Sequence, residues 1–352
     1  MTIKMETGSA NGQIDLVAKL ANFVNTELTG MWVVTEHLTP GNVIGFASDA
    51  QVTLRMVAPN DGVYFHLTSM VGETRPRMRL LASTAFTSGL AGENQPSLSA
   101  SGNDRNTGIS IPKDADAISF TYFFIASETY FYGVAKFASG SYQHFCMGIA
   151  DNYPGVNNGY WYTGSLMRGR WSQAVLDFDD FSSSASTGTH INLFNNGSTY
   201  ATAGDVSVMG AILRHDGVWC LIHANSRSAT NASAFTSFLR SGTSKSMNEG
   251  DLPFGSSIPI FYSPDVVSNQ ANIVTPLMPG YFLCPKIGRA GWWTVQGAIP
   301  GARACWTEGY EEDEEITIGS QVWKLFPIYK SRRAVTEPAR FMGMAVLIDP
   351  GV

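Results

Sequence analysis

The densest group of potential metal ligands is the run Glu311-Glu312-Asp313-Glu314-Glu315. Several carboxylate oxygens in one loop are what a hard cation such as Ca²⁺ requires. The spacing of an EF-hand loop, with its central glycine, is absent. A solvated loop leading into a strand is therefore the expected role. Arg332 or Arg333, of this chain or of a neighbouring subunit, is a natural docking partner for the charge. A second acidic group is Asp177, Asp179 and Asp180 around Phe178. On a strand, Asp177 and Asp179 share a face, the minimum for a carboxylate pair acting on a glycosidic bond. Spacing alone supplies neither the separation across a sugar nor a raised pKa, so solubilising or turn-forming roles are expected.

The histidines are His37, His66, His144, His190, His215 and His223. His215 and His223 fall on the two arms of one hairpin, beside Asp216. One sits at the turn and the other well along an arm, which is poor geometry for a shared metal. His144 and Cys146 share a strand face, where an isolated pair is expected to be core packing rather than a nucleophile and its base. The chain has no HExxH, GxSxG or P-loop pattern. Cys146, Cys220, Cys284 and Cys305 form no CxxC pair and sit among apolar neighbours, so they read as free, buried thiols. These residues assign no catalytic, cofactor-binding or metal-binding site.

The aromatic residues are more suggestive. Tyr160-Trp161-Tyr162 is preceded by Tyr153 and followed by Trp171. On a loop, such amphipathic rings stack on sugars or bury at a protein interface, and the alternative is that they pack into the core of the chain itself. Trp292-Trp293 has diverging side chains if it lies in a strand, one ring for the core and one for a neighbour. These seven residues are the candidate interface or glycan contacts.

The elements that must hold them are mostly strands. One helix is clear: Ile14, Val17, Leu20, Ala21, Val24 and Leu28 recur at helical spacing. Asn11 or Gly12 can cap its start, Asp15 suits its positive end, and Gly30 can stop it. From Gln51 to Val57 the period changes to two, with Val52, Leu54 and Met56 alternating against Gln51, Thr53 and Arg55. Pro59-Asn60-Asp61-Gly62 turns the chain and Val63 to Met70 returns, a β-hairpin. A second hairpin, Val208 to Ala224, turns at His215-Asp216-Gly217. Further strands are expected at Arg77–Phe86, Ile118–Ser127, Tyr130–Ala138, Tyr142–Ala150, His190–Phe194, Ile258–Tyr262, Trp292–Val295, Glu315–Ile318, Trp323–Tyr329 and Phe341–Ile348. Ser88–Asn106 and Ser182–Gly204, rich in Gly, Asn and Ser, read as long surface loops. The expected fold is mainly β, antiparallel sandwich- or barrel-like units with a short N-terminal α-helix. The expected organisation is a helix plus β-rich domain over 1–224, a polar connecting segment over 225–251 and a C-terminal β unit over 252–352.

Composition narrows the function. The 352 residues carry 23 basic and 29 acidic side chains, a formal charge of −6. Charged residues are 15%, well under the roughly 25% of an ordinary soluble domain, so Ser, Thr, Asn and Gly must cover much of the surface. Proteins that work packed against other subunits share this trait, and so do secreted β-proteins. A net acidic chain lacks the cationic field that nucleic acid needs. No apolar run is long enough for a membrane span. The opening residues lack the apolar core of a secretory signal, which favours synthesis in the cytoplasm.

The chain resembles tailed-bacteriophage virion structural proteins in layout. The first resemblance is the opening helix, Ile14-Asp15-Leu16-Val17-Ala18-Lys19-Leu20-Ala21-Asn22-Phe23-Val24, followed by Trp32. The second is Phe123-Phe124-Ile125-Ala126, Tyr132-Gly133-Val134-Ala135-Lys136 and Tyr142-Gln143-His144-Phe145-Cys146-Met147-Gly148, ending in Tyr153-Pro154-Gly155. The third is Glu315-Ile316-Thr317-Ile318-Gly319, Trp323-Lys324-Leu325-Phe326-Pro327 and Phe341-Met342-Gly343-Met344-Ala345-Val346. The resemblance implies a non-enzymatic tail or baseplate subunit, made in the host cytoplasm and working in the virion without a cofactor. Its partners would be copies of itself and other virion proteins. The alternatives are a receptor- or glycan-binding tail fibre or tip protein contacting a host cell-surface glycan, a capsid-surface decoration protein, and a polysaccharide hydrolase.

Overall fold

The computed structural model describes residues 1–88 apart from 45–46, 60–61 and 72–76, then 107–110, 119–137, and 141–167 apart from 154, 156–157 and 165. It further describes the segments 191–192, 195–196, 211–215, 218–222, 237–240 and 243–246, and then 277–285, 293–306, 310–327 and 342–351. The fold is mainly β, as expected, with one helix near the N-terminus.

Three antiparallel sheets make the body of the protein. The largest has nine strands in the order β1 (Lys4–Asn11), β7 (Ser119–Ala126), β8 (Tyr130–Phe137), β9 (Ser141–Ile149), β10 (Tyr160–Gly164), β14 (Ala211–His215), β15 (Val218–Ile222), β16 (Ser237–Arg240) and β17 (Thr243–Ser246). The second has six, in the order β11 (Leu166–Met167), β6 (Thr107–Ser110), β5 (Arg77–Ser83), β4 (Tyr64–Met70), β3 (Gln51–Met56) and β2 (Trp32–Leu38). The third has five: β18 (Met278–Pro285), β19 (Trp293–Trp306), β22 (Met342–Asp349), β21 (Gln321–Pro327) and β20 (Glu315–Ile318). Ile191–Asn192 and Asn195–Asn196, β12 and β13, pair as a short ribbon. Ile191–Asn192 falls within the strand expected at His190–Phe194, and both strands lie in the stretch Ser182–Gly204 expected to be a loop. Two strands of the polar 225–251 segment, β16 and β17, join the nine-stranded sheet.

The central sheet is buried on both faces, and this explains its sequence. A strand wet on one side alternates, whereas one covered on both reads as an apolar run. β8, Tyr-Phe-Tyr-Gly-Val-Ala-Lys-Phe, is such a run and only Lys136 in it is partly exposed. Phe124, Phe131, Phe145, Met147, Tyr160 and Tyr162 face one core, shared with the helix α1 (Gly12–Glu27) and the inner side of the six-stranded sheet. Phe123, Tyr130, Tyr132, Cys146 and Trp161 face a second core, closed by Phe282, Ile299, Phe326, Met344 and Val346 of the five-stranded sheet.

The helix forms as expected. Leu16, Val17, Leu20, Phe23 and Val24 are buried along one stripe. Ile14 stands outside that stripe and is exposed. Asn11 occupies the N-cap position without a side-chain cap, and Asp15 accepts a bond from its amide N–H at 2.9 Å. Phe23 sits 5.6 Å from the Phe124 ring and 6.0 Å from that of Phe131, fixing the helix to the central sheet. Trp32 donates its Nε1–H to the carbonyl of Ser127 at 2.7 Å, joining the six-stranded layer to the same sheet. Gly133 is required by packing: a Cβ there would lie 2.1 Å from Cζ of Phe145.

Candidate functional site

The aromatic run is a strand. Tyr160, Trp161 and Tyr162 open β10, inside the central sheet, with Trp161 opposite Gly148 on β9 and Leu213 on β14. All three are fully buried. This corrects the expectation of an aromatic loop. Both faces of this strand are covered, so adjacent large rings are each used, Tyr160 and Tyr162 for one core and Trp161 for the other. Tyr160 donates its hydroxyl to the Pro59 carbonyl at 3.1 Å. The Trp161 ring lies 6.0 Å from both Tyr132 and Phe282. Within this chain these rings are core and present no surface to a sugar or a partner. Tyr153 is half-buried against the second core. Trp171, Trp292, Asp177, Asp179 and Asp180 lie outside the described residues, as does the side chain of Trp293, whose backbone begins β19.

The acidic run is a fastener between layers. Lys136 on β8 donates to Asp313 Oδ2 at 2.6 Å and lies 3.5 Å from Glu312. Tyr142 on β9 donates its hydroxyl to Asp313 Oδ1 at 2.8 Å. Lys324 on β21 holds Glu315 Oε1 and the Asp313 carbonyl, each at 3.0 Å. Asp313 adopts φ +64°, a left-handed conformation that Asp tolerates better than most residues. Burial opposes the Lys136 charge, but the hydrogen bond and charge of Asp313 outweigh it and its pKa rises. Burial and the Asp313 hydrogen bond together hold the Tyr142 phenol protonated. The expected partners Arg332 and Arg333 lie outside the described residues.

The third arrangement is a polar layer on the outer side of the six-stranded sheet. Gln51 and Thr53 of β3, His66 and Thr68 of β4, and Arg79 and Ser83 of β5 are all buried there. His66 is paired across both neighbouring strands. Its Nδ1 is 3.0 Å from Thr53 Oγ1 and its Nε2 is 2.7 Å from Ser83 Oγ. Ser83 donates its own proton to the Ala85 carbonyl at 2.9 Å. With its proton on that carbonyl, Ser83 accepts from His66 Nε2–H, and Nδ1 accepts from Thr53. The pair has the atoms of a serine–histidine dyad and the opposite polarity. A base for Ser83 needs a bare nitrogen facing it, and here that nitrogen carries the proton. Burial, then the charge of Arg79, lowers the His66 pKa to about 3. Beside this relay, Thr68 donates to Gln51 Oε1 at 2.9 Å, and Asp49 accepts from the Val71 amide at 2.7 Å.

His144 bridges the other two sheets. Its Nε2 is 3.0 Å from the carbonyl of Pro327, which can only accept, so Nε2 donates. Burial lowers its pKa to about 4, against the raising effect of that bond. Cys146 is free, and burial pushes its thiol well above the ordinary range. Cys305 is also free and buried. The backbone at His215 pairs with Val218, as the second hairpin requires, while His190 and His223 lie outside the described residues. Among the described residues no three His, Cys, Asp or Glu side chains come together in a way that could hold a metal. Among the described residues no helix is long and apolar enough to cross a membrane.

No protein-family model matches the chain, and no curated protein matches it.

Proposed function

We propose that this protein is a non-enzymatic structural subunit of a bacteriophage virion, a tail or baseplate component that builds a symmetric assembly through protein–protein contacts. One observation carries the reading: side chains whose types suggested chemistry are spent on fastening layers together. Tyr160, Trp161 and Tyr162 fill two cores, His66 is locked between two strands, His144 ties the central sheet to β21, and Asp313 grips β8 and β9. A three-layer β body stapled in this way resists deformation, which a subunit bearing mechanical load requires. Low surface charge and the layout resemblance support the same reading. Burial removes Tyr160, Trp161 and Tyr162 both as glycan contacts and as intersubunit contacts, so the assembly reading rests on the build of the body and not on these rings.

The test is mass spectrometry of purified, salt-washed particles from a phage that encodes the chain. The expected result is recovery at a fixed copy number, a multiple of three or six per particle. Recovery only as free protein from the lysate would refute the proposal. Particles depleted of the chain that still adsorb normally to host cells would exclude the receptor-binding alternative.

A further inference from the structure

Sheet edges are where one copy of a β protein can add to another, and most edges here are blunted. β17 and β20 have four residues each and β11 has two. β2 is bulged between Val34 and Glu36. β18 is broken by two register shifts and carries Pro279 and Pro285. Short strands, bulges and prolines are the usual protections of an exposed edge. β1 has none of these three; the charges it carries, Lys4 and Glu6, also guard an edge against unmatched partners but are of opposite sign and can pair with each other. It runs eight residues, pairs with β7 without a register shift, contains no proline, and among the described residues is hydrogen-bonded to a strand on one side alone. Met5, Thr7 and Ser9 are exposed along it, Met5 at 42%.

We propose that β1 pairs antiparallel with β1 of a second copy, joining two nine-stranded sheets across a twofold axis. The sequence selects the register. A twofold perpendicular to the sheet brings together only residues that share a face, so the axis passes through a residue and its own copy. Centring on Lys4 or on Glu6 would set like charges against each other, which is unfavourable. Centring on Thr7 or beyond leaves both charges without a cross-strand partner. Centring on Met5 sets Lys4 opposite Glu6 of the second copy, twice, and Met5 against Met5; Thr7, Gly8 and Ser9 then face Ile3, Thr2 and Met1, so the pairing draws the three residues before β1 into the ladder. Both charges are available for this. The Lys4–Glu27 contact is 3.8 Å between half-exposed side chains, and Tyr122 occupies Glu6 through one carboxylate oxygen, at 2.6 Å. The exposed Met5 then gains an apolar partner. The inference rests on the assembly reading and deepens it by naming a partner and a surface.

Sedimentation equilibrium of the purified full-length chain over a concentration series tests it. The parent is expected to dimerise. Lys4→Glu, which creates a repulsive pair on each side of the axis, should weaken the dimer at least tenfold, and Lys4→Glu with Glu6→Lys should restore it. Independently, Met5→Cys should form an intermolecular disulfide under mild oxidation, while Ser9→Cys should not. A parent that is monomeric throughout, a dimer insensitive to Lys4→Glu, or crosslinking at Ser9→Cys in place of Met5→Cys would each overturn the proposal. A monomeric parent that nevertheless enters washed particles would refute the β1 pairing and leave the virion reading intact.

Discussion

Acid should destabilise this protein through two named residues. His66 and His144 are buried and neutral, with pKa values lowered to about 3 and about 4 from an ordinary 6.5. The unfolded chain binds a proton at each site once the pH falls below 6.5, and the folded chain does not. Stability is thus complete above that pH and is lost as pH falls toward the folded-state values. At pH 5 each site lies about 1.5 pH units below its unfolded pKa, which at 1.36 kcal/mol per unit is about 2 kcal/mol per histidine. Against the 5–15 kcal/mol typical of a domain, a loss of about 4 kcal/mol is severe. The assay is urea unfolding at pH 7.5 and pH 5 for the parent and for His66→Gln. Glutamine can keep the donor to Ser83 but cannot titrate. The variant starts less stable at pH 7.5, yet its loss between the two pH values should be smaller by about 2 kcal/mol. Carboxylates contribute equally to both proteins and cancel. An identical pH-dependent loss in parent and variant would refute the reasoning, because it would mean that His66 titrates alike folded and unfolded.

Leu20→Asp should prevent the helix from docking, since loss of a buried leucine costs about 2–5 kcal/mol even as alanine and an unpaired buried charge adds to this, whereas Lys19→Asp should melt like the parent. Trp161→Ala with Tyr162→Ala should lower the melting temperature of the soluble protein, with about 3–5 kcal/mol lost for the tryptophan alone; a folded variant of parental stability that fails only in assembly would contradict the core placement. Gly133→Ala should cost about 1–3 kcal/mol by forcing the Phe145 ring aside, visible as a lowered urea midpoint.

Much of the local structure was legible in the sequence because it obeys one periodicity at a time. Val52, Leu54 and Met56 alternate with Gln51 and Thr53, and β3 is a strand with its apolar side on the core. Glu315–Ile318 was delimited by its β-branched residues and is β20. β10 was misread because Tyr160, Trp161 and Tyr162 do not alternate. Burial on both faces removes the polar half of the pattern, and an aromatic run then looks like a loop patch. β1 was missed for a different reason. Lys4–Asn11 contains no β-branched residue except Thr7, and its strand conformation comes from the eight pairs it makes with β7, more than a hundred residues away. The His66 relay was half visible. The polar face holding Thr53 could be read directly, but that Ser83 and Thr53 would flank His66 depends on the register of β3, β4 and β5, which no local pattern encodes.

The layered build also constrains the order of assembly during synthesis. The second face of the central sheet, with Tyr132 and Trp161, is covered by residues from Phe282 onward. The contacts that seal it are remote in the chain: Tyr142 reaches Asp313 across 171 residues, and His144 reaches Pro327 across 183. A ribosome delivers the central strands first, so this aromatic face waits, uncovered, for a sheet not yet made. At a synthesis rate of about 5–20 residues per second that wait lasts roughly ten to forty seconds. Folding dominated by such distant pairings is slow. The nascent chain therefore passes through a stage in which a broad apolar surface is open to chaperones and to other nascent copies. Substitutions in the last seventy or so residues should be felt first as lost soluble yield.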